Sequence, residues 1–313
     1  MSKNRESNFI SVVCYVNEKT KNIEAFLEVV NNSMVNNFLN YEIICVNDSN
    51  DREALSNQIK EINNRIGNAN VTIVNMSFKQ GIESAMRAGI DLAIGDFVYE
   101  FDTTDIDYEA GLIIELYKQS LKGYDIVNAV PRNAGSLSSK TFYKMINSNS
   151  NSEQKLQTQT FRIISRRGLN RVTSISNSIV YRKATYAYSG MNIYSMIYDS
   201  ISNKEKKLVQ TRSERFDLAI NSLLLFTNVA YKFSFILACI FLCSTSFIAI
   251  YALIIFMGGH PIEGWTTTML FLAFSFFGIF SLLAIVVKYL SVLVEMNFKK
   301  QNYLINSIER LTK

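Results

Sequence analysis

A short acidic run, Asp102-Thr103-Thr104-Asp105-Ile106-Asp107, holds the residues best suited to chemistry in this chain of 313 residues. Carboxylates one residue apart in a turn can converge on a hard divalent cation, and Mg2+ or Mn2+ held this way keeps waters and takes phosphate oxygens as its remaining ligands. A nucleoside diphosphate is the substrate class that such a turn suggests. Asp is equally favoured at helix N-caps, so spacing alone leaves open a solvated turn that caps a helix starting near Tyr108. Two other polar pairs sit just after apolar runs, Asn17-Glu18 and Asn47-Asp48. Either could bind a nucleotide or cap a helix.

The elements that must position these residues alternate in period. Apolar, β-branched runs at Phe9 to Val16, Tyr41 to Val46, Val71 to Met76 and Asp96 to Phe101 predict strands; helical spacing over Lys21 to Met34, Arg52 to Ile66 and Gly81 to Ile94 predicts the helices between them. Such alternation specifies a mainly parallel sheet wrapped by helices. Ligands of such sheets bind beyond the carboxyl ends of the strands, where all three polar segments fall.

After Lys232 the composition changes. Phe233 to Met257 and Trp265 to Val287 are uncharged apolar runs, each long enough to span about 30 Å of hydrocarbon as a helix. Lys232 precedes the first, Lys288, Lys299, Lys300, Arg310 and Lys313 follow the second, and the connection has no Lys or Arg. The positive-inside bias places both long ends in the cytoplasm. The expected organisation is a catalytic domain over 1–210, a juxtamembrane amphipathic helix over 211–231, a transmembrane hairpin over 232–287 and a cytoplasmic tail over 288–313. This describes a multi-pass protein of the cytoplasmic (inner) membrane, without a cleaved signal peptide.

The net charge of +5 is modest and its Lys and Arg are dispersed or juxtamembrane, which argues against nucleic acid as a partner and for anionic headgroups. Four cysteines and one histidine show no ligand spacing, so a zinc site or a disulfide framework is not expected; Cys14 and Cys45 read as reduced core residues.

Taken together, these segments resemble glycosyltransferase family two, and within it the polyprenyl-phosphate transferases related to bactoprenol glucosyltransferase and dolichol-phosphate mannose synthase. SVVCYVNE (11–18), YEIICVNDSN (41–50), FKQGIESAMRAGIDLAIGD (78–96), the acidic turn, FRIISRR (161–167) and the hairpin flanked by Gly264-Trp265-Thr266 and Lys288-Tyr289-Leu290 carry the resemblance. It implies a GT-A fold and inverting transfer of a sugar from a nucleotide donor, a UDP-sugar ahead of a GDP-sugar, to polyprenyl phosphate, with a homo-oligomer as a further expectation. By position it implies Asn17, Glu18 and Asp48 at the nucleotide, Asp102, Asp105 and Asp107 as catalytic acids, and Asp102, Thr104 and Asp105 around Mg2+ or Mn2+. Arg162, Arg182, Lys183, Arg212 and Arg215 would meet the acceptor phosphate. The chain departs from the family pattern at Thr104, where an Asp is usual, and at Ala184, Ala187 and Ile193, where basic residues are usual. A catalytically weak homologue serving as a membrane scaffold is the alternative reading. A processive synthase is disfavoured, because two spans give little pore wall and the chain has no Gln-x-x-Arg-Trp-like motif.

Overall fold

The computed structural model describes residues 5–67, 69–132, 156–175, 181–201, 264–298 and 303–311, with isolated positions at 143, 144, 147 and between 233 and 250. The chain divides into two units, residues 1–219 with 301–313, and residues 220–300.

The first unit is built on one eight-stranded sheet. Its strands are β1 (Ile10–Val16), β2 (Tyr41–Asn47), β3 (Val71–Met76), β4 (Phe97–Phe101), β5 (Ile126–Pro131), β6 (Phe161–Ser165), β7 (Ile193–Tyr198) and β8 (Ile305–Leu311), in the order β7-β5-β6-β4-β1-β2-β3-β8. β1 pairs in parallel with β2 and β4, β2 with β3, and β5 with β7; the β4–β6, β5–β6 and β3–β8 pairs are antiparallel. The sheet is therefore mixed but mostly parallel. β1 reads as a nearly continuous apolar run, broken only by Ser11, because helices cover both faces of the sheet there and all seven of its residues are buried.

On one face pack α1 (Ile23–Asn37), α2 (Arg52–Arg65) and α4 (Gly111–Ser120), through Phe26, Leu27, Ile59, Ile113 and Leu116. On the other pack α3 (Ile82–Leu92), α5 (Arg166–Ile175) and α6 (Arg182–Tyr188), through Ala85, Met86, Leu169, Val172 and Tyr186. α3 lies very close to the sheet. A Cβ on Gly89 would sit 2.5 Å from Val13 and 2.6 Å from Val46, so only glycine permits this approach. Cys14 and Cys45, register partners on β1 and β2, are buried free thiols with sulfurs 3.4 Å apart.

Residues 288–313 differ from the expected tail. The helix α7 (Trp265–Phe298) continues past Val287, and β8 adds to the sheet edge beside β3. Asn75 of β3 donates to Ser307 at 3.0 Å and to Glu309 at 2.8 Å, and Lys60 of α2 pairs with Glu309 at 2.6 Å. Just before β8, Leu304 exchanges two hydrogen bonds with the side chain of Gln80 and accepts one from the Ser77 amide.

In the second unit, α7 runs for 34 residues, about 51 Å at the helical rise. Among the described residues no helix is long and apolar enough to cross a membrane. Large apolar side chains nonetheless stand exposed along α7, among them Phe274, Phe277, Phe280 and Val287, and so do Phe233, Ile236, Phe247 and Ile250 of the first apolar run. The segment 211–231 lies outside the described residues.

Candidate active site

The parallel register brings the carboxyl ends of β1 to β4 to one rim of the sheet. β6 runs the other way and so presents its amino end at this rim, with Arg162 in register opposite Glu100 of β4. The expected segments Asn17-Glu18, Asp48, Asp102 and Arg162 are thus gathered along one edge.

What each residue does there follows from its partners. Asp48 accepts from the Tyr15 hydroxyl at 2.9 Å and from the backbone amides of Gln80 and Gly81 at 2.8 and 2.9 Å, at the amino end of α3. Gly81 adopts φ +85, a left-handed-side conformation that glycine tolerates. Burial pushes the Asp48 carboxyl up, and these hydrogen bonds and the Lys79 charge partly oppose the shift. Glu18 pairs with Lys79 at 3.0 Å. Although burial works the other way, hydrogen bonds and Lys79 leave its carboxyl below the ordinary range. The Asn17 side chain is spent locally: its oxygen accepts from the Lys19 amide and the Thr20 hydroxyl, and its nitrogen donates to Tyr15. Of the three expected nucleotide contacts, Asn17 is a turn former and Asp48 a cap.

The acidic turn departs further from expectation. Asp102 receives Arg182 Nη2 at 2.6 Å on one oxygen, and Arg162 Nη2 at 3.2 Å and Lys183 Nζ at 3.3 Å on the other. Burial would raise its pKa, but Arg182, Lys183 and Arg162 overcome that and hold the carboxyl far below the usual range. Thr104 is buried and donates to the Lys21 carbonyl at 2.7 Å. Asp105 accepts from the Thr103 hydroxyl at 3.2 Å. Asp107 is buried beneath the rim and accepts from Tyr198 at 2.8 Å and Ser200 at 3.2 Å. The contacts of Asp102, Thr104 and Asp105 are thus with other groups of their own chain. Among the described residues no group of three His, Cys, Asp or Glu side chains could hold a metal ion. The residues present do not fit Mg2+ or Mn2+, because the one central carboxylate is already occupied by cations of its own chain.

Around Asp102 lies a network that the sequence reading assigned only in part. Arg182 Nη1 donates to Glu100 at 2.6 Å, and its Nε and backbone amide donate to Glu83 at 2.9 and 3.0 Å. Tyr186 donates to the other oxygen of Glu100 at 2.6 Å, and the Arg162 guanidinium stacks over its ring at 5.4 Å. Three acids, Glu83, Glu100 and Asp102, face three cations, Arg162, Arg182 and Lys183. Burial would lower the pKa of each arginine, but the carboxylates reverse this and raise both, most strongly Arg182. Glu83 and Glu100 escaped the sequence reading. The available signal was a lone acid inside an otherwise apolar strand, VYEF, matched by a lone Arg in FRII. Arg212 and Arg215 lie outside the described residues.

A family model described as Glycosyl transferase family 2 matches residues 11–187, more than half of the chain. The chain belongs to glycosyltransferase family 2. The family-2 domain thus contains both the rim and the ion network. Among curated relatives, an uncharacterized glycosyltransferase of Synechocystis, sll0501, is 31% identical over 167 residues, 51% of either chain. CsbB of Bacillus subtilis, provisionally named a glycosyltransferase, is 25% identical over 235 residues, covering 74% of this chain and 70% of CsbB. The match thus spans about half the length of the first relative. Among solved structures, the mannosyltransferase PcManGT of Pyrobaculum calidifontis, in complex with GDP-mannose and Mn2+, superposes with a TM-score of 0.51 at 14% identity, over 91% of this chain and 88% of that one. At that identity the likeness shows the fold, which is GT-A-like.

Proposed function

We propose that this family-2 protein is a membrane-bound transferase that moves a sugar from a nucleoside diphosphate donor to a polyprenyl phosphate at the cytoplasmic leaflet. The observation that carries the acceptor assignment is the exposed apolar surface of the second unit. Side chains such as Phe277 and Phe280 are more than half exposed, and contiguous apolar exposure on this scale marks a membrane or partner surface. Both ends of that unit connect to the first unit, so the apolar surface and the sheet rim belong to one chain. A nucleoside diphosphate sugar as donor is supported by the family and by the GDP-mannose bound to PcManGT.

In this reading the acceptor phosphate attacks the anomeric carbon, the bond from that carbon to the diphosphate oxygen breaks, and the nucleoside diphosphate leaves with the electron pair. A phosphate is already anionic near neutral pH, so the enzyme mainly orients it and stabilises the departing charge. Transfer of labelled sugar from UDP- and GDP-sugars to undecaprenyl phosphate, by the purified protein in detergent, tests the proposal. Label entering the organic phase only with the lipid present is expected. Label retained wholly in the aqueous phase with every donor would refute it. The closed pairing of Asp102 with Arg162, Arg182 and Lys183 favours a second reading, a non-catalytic membrane scaffold, which predicts that aqueous result.

A further inference from the structure

We infer that the donor's diphosphate is met in this protein by a built-in cationic group, Lys183 with Arg162 and Arg182 behind it, and that its binding needs no divalent ion. The inference rests on the family-2 reading of the site.

Three observations carry it. First, the charge a divalent ion would bring to Asp102 is already supplied by the chain, through ammonium and guanidinium nitrogens at 2.6 to 3.3 Å. The position that would hold a second acid is Thr104, and its hydroxyl is committed to the Lys21 carbonyl. Second, the cations differ in how far they are used. Arg182 spends its side chain on three carboxylates. Arg162 is about 1% exposed, and its Nε and Nη1 have no hydrogen-bond acceptor among the described residues, Nη1 lying 3.6 Å from Glu100. A buried guanidinium with idle N–H groups is costly unless an acceptor arrives. Third, Lys183 is the open member of the group. Its side chain is 16% exposed, beside an Asp102 that is 15% exposed, while both arginines are at 1%. Lys183 also lines a cleft with Asn128, Gln159, Tyr186 and Ser195, which supply further polar groups.

A phosphate oxygen entering beside Lys183 gains an ammonium donor at once. By competing for Asp102's cations it also draws on the guanidinium donors behind, a geometry in which Arg forks and phosphate oxygens match. No proton transfer is required, because each cation keeps its charge and the anion is exchanged for, or added to, the carboxylate.

The test uses the full-length protein in detergent, with UDP and GDP as probes followed by calorimetry, in EDTA and in Mn2+, and with free Mn2+ followed by electron paramagnetic resonance. One of the two nucleotides is expected to bind with the same affinity in EDTA and in Mn2+, and the protein alone is expected not to deplete the free Mn2+ signal. Lys183→Met should weaken that binding about ten- to a hundredfold, the loss of one charge-assisted contact, without a lower Tm, and Lys183→Arg should largely restore it. Binding that appears only with Mn2+ overturns the inference and leaves the transferase reading standing. Binding in EDTA that Lys183→Met does not weaken overturns the role of Lys183. Binding of neither nucleotide under any condition overturns the inference together with the donor assignment, which the transfer assay then shows separately.

Discussion

Arg182→Met tests the ion network most directly. The substitution keeps most of the side-chain volume but removes the charge and the donors to Glu83, Glu100 and Asp102 at 2.9, 2.6 and 2.6 Å. Three acids then face two cations, and Glu100, fully buried, loses its shortest ionic partner. Breaking a buried pair from one side costs about 3–5 kcal/mol. At about 2–4 °C per kcal/mol for a unit of this size, the first unit should melt roughly 6–20 °C lower. The pH dependence supplies a second signature. Folded Asp102 has a depressed pKa, so its contribution is complete above the ordinary carboxylate value and is lost as pH falls below it, when the unfolded chain takes up the proton first. Without Arg182 the depression shrinks, and the gap between wild type and variant should be wider at pH 7 than at pH 3. Thermal unfolding in detergent, followed by circular dichroism at the two pH values, measures both. A shift under about 2 °C at pH 7, or a gap that widens in acid, would refute the reasoning.

Asp48→Ala should lower stability by about 1–3 kcal/mol by leaving the Gln80 and Gly81 amides without their acceptor, and thermal unfolding of the variant reads this; a cost below a few tenths would remove its role as a cap. Ending the chain after Lys300 deletes β8 and bares the β3 edge, so the truncated protein should elute as aggregate on size exclusion in detergent, whereas a monodisperse product with wild-type Tm would contradict this. Cys14 and Cys45 are fully buried, and the hydrogen bond to Cys45, together with burial, raises the Cys14 thiol; both should resist maleimide until denaturant is added, as mass spectrometry of labelled peptides will show.

The first four strands were legible in the sequence to within one residue at each end, and the three helices to within three. Val71 to Met76 matches β3 at both ends, and Arg52 to Ile66 overshoots α2 by one residue. In this part of the chain the apolar period follows burial between two layers of helices, so pattern and structure carry the same information. β8 was not legible. INSIERL alternates between half-buried and exposed positions at a sheet edge, which gives it the composition of a polar tail, and nothing local names β3 as its partner. Glu83 and Glu100 apart, the site was legible as a list of residues but not as a set of roles. Asp102 and Arg162 were found by position, yet their pairing depends on the antiparallel β4–β6 register, which follows a crossover whose direction no local motif fixes. For the same reason Asp102 was expected to face a metal ion, whereas it balances three cations.

The pairing of β3 with β8 sets an order of events in synthesis. Asn75 and its partner Ser307 are separated by 232 residues, which a ribosome adding about 5–20 residues per second needs tens of seconds to cover. For all of that time β3 is an open sheet edge, with Asn75 lacking Ser307 and Glu309, while the apolar runs of the second unit are emerging. The sheet is completed only after those runs have been made. Because Leu304 holds Gln80, and the Gln80 amide in turn donates to Asp48, the rim reaches its final form at that same late moment. A nascent chain stalled before Tyr303 would carry nearly all of the site and an unfinished scaffold to hold it.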